Sequence, residues 1–428
     1  MIFNVWEDAS SRENKRQEGG YMRILFLTSA VERVAGYWRA FYLAKNLAEL
    51  GHHVTVICQR NKPSFRIASE IRGKVQIYSL PSIVSKNVSF YDIIKQISTI
   101  FMQTGINSLF SLKSFDIVHV FDALLPQNAL QIIFSRTKLT PRKPVIFVDW
   151  DDWWGRGGIL DIYTRGIYRI TIPFLTFLEE KMPLYADGVT VTNETLKKRA
   201  VSVGVMPKNI FVVPNGTNIE ASKPFEIYEA RRRLNLPLDA IIYIFPVKES
   251  LIKTQLQKSL GKNIVLLAHK IVTNFYPNAF LLLLGKGCET WLAEARSIKI
   301  DRNVIGIDFQ PADTYPLYLA ASDFTLLPPF PDTAFHRARS PLRLMDYMAV
   351  GRPVIATALP EIKRTLGYDD LLIKPNADEN DLAEKILKAI RNSILCQKLG
   401  KVAREKIKKQ GSWRIISKQL EKIYCKYV

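Results

Sequence analysis

Short apolar segments alternate with amphipathic helical patterns along most of the chain. Val, Ile, Leu and Phe dominate segments such as 23–28, 53–58 and 279–284, and stretches of helical length separate them. Because strands separated by such helices form βαβ units, the alternation predicts parallel sheets covered by helices. A turn signal at Pro214-Asn215-Gly216 interrupts the pattern, which restarts near residue 241. The sequence therefore predicts two doubly wound α/β domains.

The length of the chain fits this division. A chain of 428 residues is longer than a single hydrophobic core usually supports. In open α/β sheets the ligand lies beyond the carboxyl ends of the strands. We therefore expect a ligand site in a cleft between the two domains.

Several features predict a reduced, cytoplasmic protein. No apolar run reaches the roughly 18 residues that span a bilayer. The N-terminal residues are rich in charge, which predicts a flexible extension over residues 1–21 instead of a signal peptide. The four cysteines are scattered without metal-ligand spacing, so neither a disulfide nor a zinc site is expected. The sequons at Asn193 and Asn215 are expected to be chance matches.

The net charge of +20 indicates anionic partners. Residues 51–143 contain twelve Lys and Arg against four Asp and Glu, with apolar residues at helical spacing between 90 and 110. Such a segment is compatible with an anionic membrane surface, on the inner face of the membrane. The alternative is a pair of helices packed on a sheet with solvated lysines. No nucleic-acid-binding motif is present, so nucleic acid is not expected as a partner.

The segment 338–359 carries the most specific pattern. A helical stripe that includes Met345 and Met348 ends at Gly351 and leads into a short β run. A helix N-terminus beside basic side chains suits an anionic ligand. Asp346, the one acid of this helix, is suited to binding sugar hydroxyls. The alternative is an amphipathic helix whose single acid faces solvent.

A second unusual segment is the loop after the strand 144–149. Residues 148–155 place three carboxylates and three indoles together, including Asp149 and Asp151. Tryptophan rings stack on sugars, and carboxylates accept hydrogen bonds from sugar hydroxyls. The alternative is a capped loop with buried indoles.

The segment from Ala338 onward resembles the donor-binding helix of retaining GT-B glycosyltransferases of the family 4-like group (group 1). The family pattern is Glu, seven residues, Glu, then Ala-Met-Ala-x-Gly-x-Pro-Val. Asp346 stands at the second acid and is followed by Tyr-Met-Ala-Val-Gly-Arg-Pro-Val. Ala338 stands at the first acid, so half of the acidic pair is missing. Residues 186–216 closely resemble the interdomain region of the same family.

The resemblance implies the GT-B fold, with two Rossmann-like doubly wound domains facing across a cleft. The N-terminal acceptor domain would cover 22–220 and the nucleotide-sugar donor domain 221–410. A last helix over 411–428 would return to the N-terminal domain.

The resemblance also implies a set of donor-binding residues around the nucleotide diphosphate. Glycines after strands would let backbone amides approach the phosphates. The family's Gly-Arg is absent, so Lys248 would replace its arginine, while Lys262 matches the family's later lysine by position; the alternative is that both lysines are solvated. The set is Gly36, Lys248, Lys262, Gly285, Gly287, Arg339, Ser340, Leu342, Arg343 and Asp346.

The implied activity is transfer of a sugar from a nucleotide sugar to a lipid-linked or saccharide acceptor, with retention and without a metal or cofactor. Asp149, Asp151 and Asp346 would act at the catalytic centre. Asp149-Trp-Asp151 also spells the Asp-x-Asp metal motif of the other large glycosyltransferase fold, but that fold lacks the second half seen here, so we interpret the match as coincidence. Two alternatives remain, namely a nucleotide-sugar epimerase or hydrolase on the same fold and a non-catalytic carbohydrate- or nucleotide-binding protein.

Overall fold

The computed structural model of the protein describes residues 20–31, 35–60, 67–80, 114–121, 123–136, 143–164, 166–247, 262–311, 313–327 and 330–428. Three predictions fall outside these residues. They concern the N-terminal extension as far as residue 19, the basic and apolar segment 90–110, and Lys248.

The first sheet contains eight strands in the order β3-β4-β2-β1-β5-β6-β7-β8. The pairs β1–β2, β1–β5, β2–β4 and β5–β6 are parallel, and β3 pairs antiparallel with β4. The strands are β1 (Arg23–Val31), β2 (His53–Gln59), β3 (Ala68–Arg72), β4 (Val75–Leu80), β5 (Ile117–Phe121), β6 (Val145–Trp150), β7 (Gly188–Val191) and β8 (Ile210–Val212).

The second sheet contains six strands in the order β11-β10-β9-β12-β13-β14, and its strand pairs are parallel. The strands are β9 (Ile241–Pro246), β10 (Ala279–Leu284), β11 (Val304–Ile307), β12 (Phe324–Leu326), β13 (Val354–Thr357) and β14 (Leu372–Ile373). Leu281, Leu282 and Leu283 are all fully buried. A continuous apolar run of this kind is expected of a parallel strand that is covered on both faces.

Helices separate most of these strands in the chain. The α-helices are Ala35–Glu49, Pro126–Arg136, Ile159–Tyr163, Ile172–Lys181, Glu194–Ser202, Ile227–Arg233, Lys262–Phe275, Cys288–Ser297, Tyr315–Ala320, Ala334–Ala338, Leu342–Ala349, Pro360–Leu366, Glu379–Arg391, Ser393–Gln410 and Trp413–Tyr424. Short 3₁₀ helices cover Gly166–Thr171, Met182–Tyr185, Pro207–Asn209 and Asp301–Asn303. None of the helices within the described ranges is long and apolar enough to cross a membrane.

The chain divides into two compact units. The first takes in the described residues of Met1–Asp149, Leu178–Val189 and Ser417–Val428, and the second takes in those of Trp150–Phe177 and Thr190–Ile416. Parallel sheets flanked by helices confirm the predicted α/β class with two doubly wound sheets.

The end of the chain is tied into the first unit by polar contacts. The Tyr424 hydroxyl lies 2.5 Å from Nδ1 of His119, and both side chains are fully buried. Burial lowers the pKa of His119 to about 4, so the ring is neutral at pH 7. Nearer the surface, a Glu421 oxygen lies 2.8 Å from Nε2 of His52. These contacts fix the last helix against strands that are far away in sequence.

We predict that Tyr424→Phe lowers the free energy of unfolding by about 1–3 kcal/mol, because it leaves the buried Nδ1 of His119 without this partner. Urea denaturation measures the change. The matched control is Tyr228→Phe, which removes the hydroxyl of an exposed tyrosine and should leave the midpoint unchanged. Equal midpoints for Tyr424→Phe and the wild-type protein would contradict the prediction.

Candidate functional site

The helix Leu342–Ala349 packs its apolar stripe against the core of the second unit. Met345 and Met348 are buried, and Gly351 adopts a φ of +75°, a left-handed conformation that ends the helix. Its N-cap residue, Pro341, makes no side-chain cap bond. The Leu344 amide donates to the Pro341 carbonyl at 3.0 Å, and no side chain of the N-cap residue competes for the two amides that precede it.

Asp346 does not face solvent as a free acid. Its Oδ1 accepts a hydrogen bond of 2.7 Å from the Thr217 hydroxyl, and the residue is half-buried. Burial raises the pKa of Asp346 to about 6, although the Thr217 hydrogen bond and the charge of Arg343 act in the opposite direction. The carboxylate that predominates at pH 7 is thus held by one hydroxyl and one nearby cation.

Two asparagine side chains hold the segment that precedes this helix. Asn215 donates from Nδ2 to the Ser340 carbonyl at 2.8 Å, and Asn193 donates from Nδ2 to the Ala338 carbonyl at 2.7 Å. Ala338 is fully buried at the end of its short helix. The backbone of the segment is therefore fixed at two carbonyls before the chain reaches Asp346.

A buried carboxylate adds a further bond in the same unit. Glu361 accepts hydrogen bonds from the Thr195 amide at 2.9 Å and from the Thr195 hydroxyl at 2.5 Å. Thr195 lies in the first turn of the helix Glu194–Ser202, where a negative charge is favourable. Arg364 donates to both oxygens of the same carboxylate.

The tryptophan-rich loop is connected to this network. The Trp154 indole donates to Oδ1 of Asp151 at 3.0 Å, and the Thr192 hydroxyl donates to the Asp151 carbonyl at 2.9 Å. The same hydroxyl accepts a hydrogen bond of 3.1 Å from Asn193. Thr192 and Asn193 therefore join Asp151 to the carbonyl of Ala338.

Cation–π contacts hold two arginines of the second unit. The guanidinium of Arg199 lies 3.9 Å from the centroid of Trp153. The guanidinium of Arg339 lies 4.7 Å from the centroid of Phe330 and 5.4 Å from that of Phe335. Arg339 is half-buried, so its charge is presented from a fixed position.

The predicted glycine turn follows β10. Gly285 has a φ of +130°, and a Cβ at this position would lie 2.2 Å from the Val247 carbonyl oxygen. Gly287 has a φ of +90° and is the N-cap of the helix Cys288–Ser297. Both positions require glycine, because an L side chain is strained at these angles. The turn ends at a helix N-terminus, as a phosphate-facing turn would.

Asp149 has a different environment, in the first unit. Arg39 donates from Nε to Oδ2 at 2.8 Å and from Nη2 to Oδ1 at 2.9 Å, and both side chains are buried. His119 Nε2 lies 3.9 Å from the same carboxylate. This geometry gives Asp149 a structural partner on each oxygen. Its contact with substrate hydroxyls stays a prediction.

The remaining predicted residues are placed as follows. Gly36 lies in the first turn of the helix Ala35–Glu49 and is half-buried, and Lys262 is the first residue of the helix Lys262–Phe275. Leu342 and Arg343 are half-buried in the first turn of their helix. A phosphate-binding role for Gly36 and Lys262 stays a prediction.

Sequence reasoning missed the polar side chains that hold the segment 338–346. Asn193 and Thr195 form one sequon, and Asn215 and Thr217 form the other. The repeated Asn-x-Thr at the ends of two strands was the available signal. All four side chains make the contacts described above.

We predict that the main role of Asp149 is structural, as the buried counter-ion of Arg39. Arg39→Met should lower the free energy of unfolding by about 3–5 kcal/mol, because it leaves a buried charge without its counter-ion. Adding Asp149→Leu should recover much of this loss, since the unpaired charge is removed. Urea denaturation of each variant measures the effect.

The control for this pair is Lys45→Met on the same helix, where Lys45 and Glu49 form an exposed ion pair at 3.8 Å. Its effect should stay below about 1 kcal/mol. A double variant as unstable as Arg39→Met alone would contradict the structural role of Asp149.

Comparisons with known proteins cover most of the chain. Residues 38–221 match the family model described as Glycosyltransferase Family 4, and residues 257–392 match the model described as Glycosyl transferases group 1. No curated protein matches the chain.

Solved structures of low sequence identity share the fold along nearly the full length. The sucrose-phosphate synthase of Thermosynechococcus elongatus is 19% identical, with a TM-score of 0.70 over 95% of this chain and 98% of that chain. A glycosyltransferase of Rickettsia africae is 16% identical, with a TM-score of 0.66 over 95% of this chain and 98% of that chain. Anabaena HepE, solved in complex with UDP-glucose, is 14% identical, with a TM-score of 0.65 over 95% of this chain and 100% of that chain.

These likenesses confirm the predicted GT-B fold. The family matches fall on both halves of the chain, and the second of them includes the helix that carries Asp346. The chain therefore carries a Glycosyltransferase Family 4 domain and a Glycosyl transferases group 1 domain on a GT-B glycosyltransferase fold.

Proposed function

We propose that this glycosyltransferase moves a sugar from a nucleotide-sugar donor to a saccharide or lipid-linked acceptor, with retention of anomeric configuration and without a metal ion. The observation that carries the proposal is the Asp346 carboxylate, bonded to Thr217 and lying in one helix with Arg343. An acid beside a cation, in a helix whose N-cap residue makes no side-chain cap bond, suits a ligand that has both hydroxyls and phosphates.

The donor diphosphate is the group that gains negative charge as the glycosidic bond breaks. Fixed cations and backbone amides stabilise such charge without reorganising. Arg339 and Arg343, together with the turn Gly285–Gly287 and its following helix, supply such groups in the second unit. We assign Lys248, Lys262 and Gly36 to the same diphosphate on the resemblance to the family.

The Asp346 carboxylate then binds donor hydroxyls, and the hydroxyls of the nucleotide ribose are the preferred assignment. Its second oxygen, Oδ2, offers acceptor positions in addition to the Thr217 bond at Oδ1. The UDP-glucose found in Anabaena HepE supports a nucleotide sugar as the donor class. UDP-glucose is accordingly the first donor to test.

We assign Asp151 to orienting an acceptor or donor hydroxyl. Its Oδ1 is held by the Trp154 indole and its carbonyl by Thr192, so the carboxylate has a fixed orientation. Asp149 supports this loop from the preceding residues, because Arg39 binds both of its oxygens. The ion pair with Arg39 also supports a transfer reaction that needs no metal ion. Asp149 would have to leave this buried ion pair to bind a cation together with Asp151.

One observation favours a second candidate, a non-catalytic nucleotide- or carbohydrate-binding protein. The position of the family's first acid is Ala338, which is fully buried with its carbonyl bonded to Asn193. No carboxylate can act from that position. Nucleotide-sugar binding without release of the nucleotide diphosphate across a panel of donors and acceptors would favour this candidate, and release without an acceptor would favour a hydrolase or epimerase.

We predict that donor affinity depends on the ionised form of Asp346. Since the pKa of this carboxyl is raised to about 6, the carboxylate predominates above pH 6 and is lost as the pH falls. The affinity for UDP-glucose should be constant between pH 7 and 8 and fall by up to about tenfold per pH unit well below pH 6. The diphosphate diester of the donor does not titrate in this range.

In the Asp346→Asn variant the affinity at pH 7.5 should be about tenfold to a hundredfold weaker, because a hydrogen bond to a charged group contributes about 1.5–3 kcal/mol. It should also lose most of its pH dependence. Calorimetric titration at a series of pH values measures both effects. The control is Asp369→Asn, which changes an exposed acid of the same unit. Wild-type affinity and turnover in Asp346→Asn would refute the assignment.

A further inference from the structure

An outward-facing apolar stripe lies along the segment 169–181. Its members are Ile170, Phe174 and Phe177, whose exposed fractions are 79%, 54% and 53%. Ile170 belongs to the 3₁₀ helix Gly166–Thr171, and the two phenylalanines belong to the helix Ile172–Lys181 that follows it directly. Spacings of four and three residues place the three side chains on one helical face.

The opposite face of the same helix is already packed. Ile172 and Glu179, which lie on that face, are buried. The core-facing side of the helix is therefore already packed, and the apolar stripe is a second apolar face that points to solvent. Large aromatic side chains exposed in a row indicate a surface that contacts another apolar phase.

Basic side chains flank this stripe. Lys181 is exposed one turn after Phe177, and Arg169 precedes Ile170 with about half of its side chain exposed. Arg169 lies 3.8 Å from Asp161, so part of its charge is compensated. Arg156 is also exposed, and its backbone amide donates a hydrogen bond of 2.9 Å to the Thr176 hydroxyl oxygen.

The combination of stripe and cations has the chemistry of an interfacial helix. Aromatic and aliphatic side chains insert into the boundary between headgroups and acyl chains, while Lys and Arg bind anionic headgroups. The net charge of +20 adds a long-range attraction to a negative surface. A stable protein–protein interface usually needs about 800 Å² from each partner, which three side chains do not supply.

We propose that Ile170, Phe174 and Phe177 dock this protein on the surface of an anionic lipid bilayer, with Lys181 and Arg169 at the headgroups. This inference rests on the proposed function, because docking on a bilayer would bring the enzyme to a lipid-linked acceptor. The surface is distinct from the basic segment 51–143 that the sequence indicates.

The test is co-sedimentation of the full-length chain with vesicles. Wild-type protein should bind vesicles of phosphatidylglycerol and phosphatidylcholine in equal parts, and bind pure phosphatidylcholine at least tenfold more weakly. The double variant Phe174→Ser and Phe177→Ser should reduce binding to the anionic vesicles at least tenfold. The matched control is Ile394→Ser, at an isoleucine that is 80% exposed on the helix Ser393–Gln410, and it should bind as wild type does.

Wild-type binding by the double variant, or no vesicle binding by the wild-type protein, would overturn the proposal. A change in oligomeric state of the double variant in light scattering, with vesicle binding retained, would assign the stripe to a second copy instead. Titration with soluble UDP-glucose is run on the same samples. Failure of donor binding alone would count against the proposed function and leave the membrane surface supported.

Discussion

The candidate donor site depends on a small set of hydrogen bonds between parts of the chain that are more than a hundred residues apart. Asn193, Asn215 and Thr217 donate to the Ala338 carbonyl, to the Ser340 carbonyl and to the carboxylate of Asp346. Each such bond contributes about 1 kcal/mol to stability on its own. Their larger effect is on position, because together they fix both the backbone before the helix Leu342–Ala349 and the acid within it. A ligand then meets groups that need no rearrangement.

Two carboxylates of this chain show how environment separates their roles. Asp149 is buried and accepts hydrogen bonds from Arg39 at both of its oxygens, which gives it a structural role in the first unit. Asp346 is half-buried with one hydroxyl partner and one cation nearby, and its pKa is raised to about 6. A carboxylate with a raised pKa and an open oxygen is suited to binding. The loss of the family's first acid at Ala338 places more of the recognition on Asp346.

The sequence predicted the parts of the fold that depend on local pattern. The strand Ala279–Leu284 is found at the predicted apolar segment, because a long apolar run determines it. The helix Lys262–Phe275 has the strong amphipathic periodicity that is typical of a helix packed on a sheet. Other boundaries do not follow from periodicity: residues 166–185 form the helix Ile172–Lys181 between two 3₁₀ helices. Pro183 removes a backbone donor near its end, and a single periodic pattern does not reveal that.

The sequence could not show which polar side chains meet across long separations. Thr217 directly follows the turn motif Pro214-Asn215-Gly216, which predicts only a change of chain direction. Its bond to Asp346 exists because the tertiary fold brings the two together. The ion pair of Arg39 and Asp149 is hidden in the same way, since 110 residues separate its members. The acidic loop 149–152 therefore looked like one cluster, whereas its members have separate partners.

The central claim is that the second unit binds the donor through the segment 338–346 and the turn after β10. Hydrogen exchange of the full-length chain with and without a nucleotide sugar such as UDP-glucose tests it most directly. The account predicts slower exchange for peptides that cover 338–350 and 284–291, with the terminal helix Trp413–Tyr424 unchanged. Unchanged exchange rates for the peptides 338–350 and 284–291 while the donor is bound would contradict it.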